Sequence, residues 1–490
     1  TREDLIKVIE EKAIEKITLH YVALDGQLKE LKIPFANRYQ AERILADGER
    51  VDGSSLFKGV VDVGQSDLYV VPVYKTAFFN PFDDASLDFV CRYLTPDGEL
   101  APYTMDNILL KAYRAFKQRS GLDLYALGEI EFFLVRDPAA PLFPAQKQRG
   151  YHASSPFVKS GHILDEMVRC LTQVTGAVKY AHSEVGYIEK IVSTLPELNG
   201  KQAEQMEIEL FSTPIDETGD NLVLARWLIR NIAYKYGCVA TFAPKLEEGI
   251  AGNGQHLLIE LMEDGNNVMT EDGGALSSRG KKLIGGLCKY ADSLTAFGNT
   301  VASAYLRLVP NQEAPTRICW SDMNRSAMIR VPLAWSKVSD MSQKVNPQQR
   351  TRFQRSGIRQ TVELRSPDGS ALVHLLLAGV TMAADWAMST EESLDLAEEL
   401  YITGDIFRNP GLLEKLPVLP ASCVESSRIL LDKRALYERD DIFPPGVIDY
   451  SAASLAAEDD EQLNKYLASL PEKKRATETR NAMHKDLHSH

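Results

Sequence analysis

Polar and apolar positions alternate with period two at four places along the chain. At each place the polar positions carry a carboxylate or an imidazole. In residues 124–135 (LYALGEIEFFLV) the run reads as a strand, with Glu129 and Glu131 on one face and Ile130 and Phe132 on the other. Residues 205–211 (QMEIELF) repeat the pattern, with Glu207 and Glu209 opposite Met206, Ile208 and Leu210. Residues 255–261 (QHLLIEL) put His256, Leu258 and Glu260 together, and 361–365 (TVELR) put Glu363 with Arg365, opposite Val362 and Leu364. Two carboxylates side by side on a strand repel each other and are tolerated only in water or around a shared cation. Alone, an E-x-E strand is a solvated face. Four such strands predict a barrel or curved sheet with a polar concave side. An excess of glutamate oxygens over imidazole suits a hard divalent ion such as Mg2+ or Mn2+, whereas zinc would ask for more His and Cys.

Elsewhere the period changes. Residues 1–16 follow an acidic amphipathic helix pattern rather than that of a signal peptide. ITLHYVAL, QLKELKIPF and DLYVVPVY read as strands of a small β-rich N-terminal domain, expected to span 1–102 and to end in the turn-rich PDG and APY stretches. Met105–Ser120 reads as a helix with Asp106 as N-cap and Gly121 just past its end. Further helices are expected at 220–236, 276–297 and 391–401, interleaved with strands in a large domain over 103–470. The expected fold class is α+β. From about Pro471 the chain is charged and is expected to be a disordered tail over 471–490.

Composition narrows the partners. With 490 residues the chain is long enough for two or three domains and a sizeable core. A formal net charge of −13 argues against nucleic acid or an anionic membrane as main partner. Six scattered cysteines without a C-x-x-C fit reduced thiols in the cytoplasm, and no apolar run approaches a membrane span. No P-loop is present: residues 274–282 (GALSSRGKK) carry one residue too many between the glycines, and Lys where Ser or Thr is needed.

Nine short motifs occur in one order: VDGSS at 51–55, GEIEFFL at 128–134, GY at 150–151, HSEVG at 182–186, EQMEIELF at 204–211, AGNGQH at 251–256, RLVPNQEAP at 307–315, NRSAMIRVP at 324–332 and VELRSPD at 362–368. On these the chain resembles the glutamine synthetases, the ATP-dependent glutamate–ammonia ligases, and more closely their shorter bacterial type. The resemblance implies a β-grasp-like N-terminal domain and a large catalytic domain with a curved antiparallel sheet and surrounding helices. It also implies amide formation through γ-glutamyl phosphate, ATP as substrate, and two or more Mg2+ or Mn2+ ions per site.

By the same resemblance, one metal sits among Glu131, Glu184 and Glu207, with Glu204 and Glu209 as rivals for the last place, and a second among Glu129, His256 and Glu363. Gly252, Arg307 and Arg365 match glutamate-binding and phosphate-neutralising positions, and Arg325 and Arg330 those facing the ATP phosphates. Arginine suits both tasks because its planar fork holds a carboxylate or phosphate bidentately. Asp52, Ser55, Tyr151, Glu184 and Glu313 match an ammonium pocket, with Asp52, Glu313 and Arg325 counted as catalytic. In the family the VDGSS piece comes from a neighbouring subunit, which implies a homo-oligomer of stacked rings, a dodecamer.

The chain also departs from the family pattern. Leu258 and Glu260 stand where the family has a second His and a small residue, and Ala251 precedes Gly252 in place of Asn. About a dozen residues are inserted within 187–203, and more within 336–360. A γ-glutamyl ligase using another amine, and a catalytically silent homologue, are the alternative readings. Retention of the metal-ligand set and of Asp52 and Glu313 favours ammonia.

Overall fold

The computed structural model describes residues 1–61, 64, 66–138, 142–309, 314–334, 340–353, 359–404, 406–408 and 410–489. The first sheet uses β1 (Lys16–Val22), β2 (Leu28–Pro34), β3 (Glu49–Asp52), β4 (Asp67–Pro72), β5 (Phe78–Phe79) and β6 (Ser86–Leu94). Its order is β2-β1-β6-β4-β3, with β5 on β6. Strands β1 and β6 run parallel and the other pairs antiparallel. Helices Arg2–Glu11 and Arg38–Asp47 bury Ile6, Ile9, Ile44 and Leu45 in a core of this sheet's own.

The second sheet contains β7 (Asp123–Arg136), β8 (Val178–Ile188), β9 (Gln202–Leu210), β10 (Thr213–Pro214), β11 (Val239–Thr241), β12 (Gln255–Glu263), β13 (Asn266–Asn267), β14 (Trp320–Asp322), β15 (Ile329–Val331) and β16 (Val362–Leu364). Its spine is β14-β15-β16-β12-β7-β9-β8, antiparallel except between β14 and β15. Period-two alternation decides its faces. Ile130, Phe132, Met206, Ile208, Leu257, Ile259, Val362 and Leu364 all enter the main core with the helices, and the alternate residues line a cavity. The fold is thus α+β, as expected.

Several boundaries shift. In the helix at Met105–Ser120 Thr104 takes the N-cap position without a side-chain capping bond, while Asp106 lies buried in its first turn, 3.8 Å from Arg92. The other expected helices run Ile215–Lys235, Ser278–Gly298 and Glu392–Glu399. The expected disordered tail is instead a helix, Glu472–His484, with Thr479, Met483 and His484 buried. Its sparse apolar side chains decide this: Met483 packs with Leu306 and Leu467, and Leu487 with Leu246 and Ile250. Among the described residues, no helix is long and apolar enough to cross a membrane.

A buried ion network joins the two sheets' layers. Arg92 of β6 donates to both Asp220 oxygens, at 3.2 and 2.7 Å, and His374 lies 3.2 Å from the same carboxylate. Burial would raise the Asp220 pKa, but Arg92 and His374 outweigh it and hold the group at about 2. A depressed carboxyl stabilises the fold above its unfolded pKa, so this contribution is lost as pH falls from near 4 toward 2. Asp220→Ala removes both hydrogen bonds that Arg92 makes to this carboxylate and leaves it Asp106, at 3.8 Å, as a carboxylate neighbour. It should cost about 3–5 kcal/mol by denaturant titration at pH 7, and the difference from wild type should shrink below pH 4.

Candidate active site

Register brings the polar positions into transverse rows. On β8, β9, β7 and β12, Tyr180 pairs with Glu209, Glu209 with Glu129, and Glu129 with His256. The next row pairs His182 with Glu207 and Glu207 with Glu131. Beyond β12, Leu258 lies opposite Glu363, which lies opposite Arg330. Like charges facing each other across strands destabilise a sheet, so these rows favour a bound cation, a basic side chain or a retained proton between them. All face one cavity of about 450 Å³, which Tyr151, Glu184, Gly252, Arg307, Arg325 and Arg365 also line.

Among the described residues three groups offer converging ligand atoms, the third being Glu129, Glu207 and Glu209, which shares a member with each of the other two. Glu129, His256 and Glu363 present theirs within 4.8 Å of one another. His256 Nδ1 lies 3.0 Å from Glu129 and 3.7 Å from Glu363. Its Nε2 lies 3.4 Å from Arg307, which can only donate, so Nδ1 is the nitrogen turned to the carboxylates. Glu363 accepts from Arg330 at 2.8 Å and from Arg365 at 3.2 Å. Against the effect of burial, His256 and these arginines hold it below the usual carboxylate range. The second group is His182, Glu184 and Glu207, with His182 Nε2 3.4 Å from Glu207. Glu131, opposite Glu207, accepts the Gly254 N–H at 2.6 Å.

Electrostatics mark the same residues. Burial, reinforced by Glu363, Glu207 and Glu209, pushes Glu129 well above the carboxylate range. Burial also pushes Glu131 up to about 7, with His256 opposing and Glu207 and Glu184 adding. Strongly perturbed carboxyls clustered in a cavity characterise functional sites. The donor set of carboxylates with at most one imidazole per group fits a hard divalent ion such as Mg2+ or Mn2+.

Not every expected residue arrives here. Asp52 and Ser55 are exposed on the small domain and do not line the cavity. Asp52 caps the short helix Gly53–Leu56, accepting from Ser54 N–H at 2.9 Å, Ser54 Oγ at 2.7 Å and Ser55 Oγ at 2.6 Å. Donation by Ser54 and Ser55 holds its pKa at about 2. Glu313 lies outside the described residues. Of the rivals for the Glu207 place, Glu209 lines the cavity but pairs with Lys179 at 2.6 Å, and Glu204 instead accepts from Lys159 N–H at 2.8 Å and Ser160 Oγ at 2.7 Å. His182 and Lys179 escaped the sequence reading. His182-x-Glu184 on a strand carried the signal, since that spacing puts both side chains on one face.

The family models decide membership. Residues 107–461 match the glutamine synthetase catalytic domain, and residues 13–96 the glutamine synthetase beta-Grasp domain. The chain belongs to the glutamine synthetase family. It is 31% identical to glutamine synthetase of Thermus thermophilus over 407 residues, covering 80% of this chain and 81% of the relative. To that of Aquifex aeolicus it is 27% identical over 491 residues, covering 94% and 96%. In fold it matches Plasmodium falciparum glutamine synthetase with a TM-score of 0.73 at 18% identity, covering 97% and 98% of the two chains. A GmaS/ADP complex matches with a TM-score of 0.70 at 19% identity, covering 97% and 99%.

This synthetase-family site leaves little room beside its imidazole. A Cβ added at Gly254 would lie 2.5 Å from His256 Nε2. Gly254→Ala should therefore turn the His256 ring and weaken binding of a divalent cation by about 10–100-fold, as displaced supporting contacts do. Calorimetric titration with Mn2+ checks this, and unaltered binding would contradict it.

Proposed function

We propose that this chain joins ammonia to the γ-carboxylate of L-glutamate, with ATP as the energy source, giving glutamine, ADP and phosphate. The observation that carries the reading is the facing of two carboxylate–imidazole groups and five arginines across one cavity. Glu131, Glu184 and Glu207, with His182 beside them, would hold one cation, and Glu129, His256 and Glu363 the other, most simply Mg2+ or Mn2+. Such cations neutralise phosphate charge during phosphoryl transfer.

The chain's own residues supply the rest. Arg325 and Arg330 hold the ATP phosphates, and Arg307 with the Gly252 backbone holds glutamate. A γ-carboxylate oxygen displaces ADP from the γ-phosphorus, and Arg365 offsets the charge that develops. Tyr151, Glu184 and Glu313, with Asp52 and Ser55 of a neighbouring subunit, form the amine pocket. Asp52 attracts ammonium as an anion. To accept its proton and free the ammonia nitrogen, it must first give up the bonds from Ser54 and Ser55. Attack of that nitrogen on the acyl carbon expels phosphate. A site so divided requires an oligomer, and stacked rings supply one. The six thiols are free and buried, which fits a reducing compartment such as the cytoplasm.

Glutamate-dependent phosphate release from ATP, with the γ-glutamyl product identified, measured across ammonium, hydroxylamine and a panel of alkylamines, tests the reading. Ammonium should be the preferred acceptor. An alkylamine or polyamine that outcompetes it would replace glutamine synthesis with another γ-glutamyl ligation, and no ATP turnover at all would favour a silent homologue.

A further inference from the structure

Two sequence features play no part in the site: the insertion within 187–203 and the charged stretch after 471. They pack against each other. Ile191 and Leu198 of the insertion, together with Leu487, join Leu246 and Ile250 in a small core that β7 also enters through Phe133 and Val135. Beside it His484 is 2% exposed. Its Nε2 lies 2.8 Å from the Leu246 carbonyl and so donates there, leaving Nδ1 to accept from the Ser193 hydroxyl at 2.9 Å. Ser193 Oγ in turn accepts the Leu195 N–H at 3.1 Å. One imidazole thus joins the insertion, the C-terminal helix and the carbonyl of Leu246. Arg480 adds a 2.9 Å bond to Glu247, and the Thr241 hydroxyl donates to the Leu487 carbonyl at 2.7 Å.

The element held in this way is the loop 244–252, whose far end is cavity wall. Asn253 N–H closes it onto the Pro244 carbonyl at 3.0 Å, and Gln205 donates to the Gly252 carbonyl at 2.9 Å. A Cβ at Gly252 would lie 2.3 Å from the Pro244 carbonyl oxygen and 3.1 Å from Arg307 Cγ. The loop therefore packs directly on Arg307, and Gly252 and Arg307 both line the cavity.

We propose that the insertion and residues 471–489 form a clasp that fixes the loop 244–252 from behind, with His484 as its positioning residue, and so sets how tightly the cavity holds the amino-acid substrate at Gly252 and Arg307. This rests on the assignment of glutamate to that end of the cavity. A loosened wall weakens ground-state and transition-state binding alike, which raises KM and leaves kcat nearly unchanged. Arg325 and Arg330, assigned to phosphate, stand on other elements, so ATP binding is spared.

Kinetics of the full chain test this. His484→Ala should raise the glutamate KM about tenfold, the scale expected for losing a buried hydrogen bond, with kcat and the ATP KM within about twofold. His484→Gln keeps a donor near the Nε2 position and should recover most of the loss. Without substrates, amide hydrogen exchange across 245–253 should quicken in His484→Ala while β1 of the first sheet stays unchanged. An unaltered glutamate KM, or a fall in kcat for every substrate that Gln does not rescue, overturns the clasp. Should the alanine variant fail to fold, Arg480→Ala reads the same loop through Glu247, with a rise in glutamate KM of about two- to threefold expected for this single half-buried pair. No rise would overturn the clasp. A wild-type enzyme indifferent to glutamate would overturn the substrate assignment instead, and hydrogen exchange alone would then decide the clasp.

Discussion

Glu129→Ala should lower kcat by at least about a thousandfold, because it opens the cation group that carries much of the transition-state charge. Glu129 faces His256 at 3.0 Å and shares its group with Glu363. Divalent-cation binding should fall by one site per chain in a calorimetric titration. Stability should move the other way. Burial and three neighbouring glutamates make Glu129 costly to ionise, so with chelator present the variant should melt no lower than wild type, and higher at alkaline pH where that cost is greatest. Near-normal turnover at saturating Mg2+ would contradict the role given to Glu129.

Mixing two dead variants should restore activity. Asp52→Ala and Arg365→Ala should each abolish glutamine formation, Asp52 as the anion that attracts the ammonium cation and Arg365 as the counter-charge beside Glu363. Asp52 is exposed on the small domain and does not line its own chain's cavity. If it completes a neighbour's site, a co-assembled equal mixture pairs intact halves at about a quarter of its interfaces, so about a quarter of wild-type activity should return. Activity that stays at zero after verified mixing, or a fully active monomer, would contradict the shared site.

The cavity face was legible because a strand has only two faces. Once Glu129, Glu207, His256 and Glu363 were placed in phase, their neighbours Ile130, Ile208, Leu257 and Leu364 had to enter the core, and they do. What local pattern could not supply was register. Glu129 opposite both His256 and Glu209 follows from pairing strands far apart in sequence. The helix Val373–Ser389 was silent for the opposite reason: it is apolar and buried nearly all round, so no 3.6-residue stripe stands out. The end of the chain misled because charge dominates its composition, while two spaced side chains, Met483 and Leu487, and one imidazole, His484, dock it. Asp106 looked like an N-cap from its position alone. Its side chain is drawn instead toward Arg92, which belongs to the other sheet.

The most direct test of the account follows oxygen. Glutamate labelled with 18O in its γ-carboxylate, incubated with the enzyme, ATP, Mg2+ and ammonium, should yield inorganic phosphate carrying one labelled oxygen per glutamine formed, because the carboxylate attacks the γ-phosphorus and the amide nitrogen later displaces the phosphate. Phosphate released without label, or glutamine formed without release of phosphate, would contradict it.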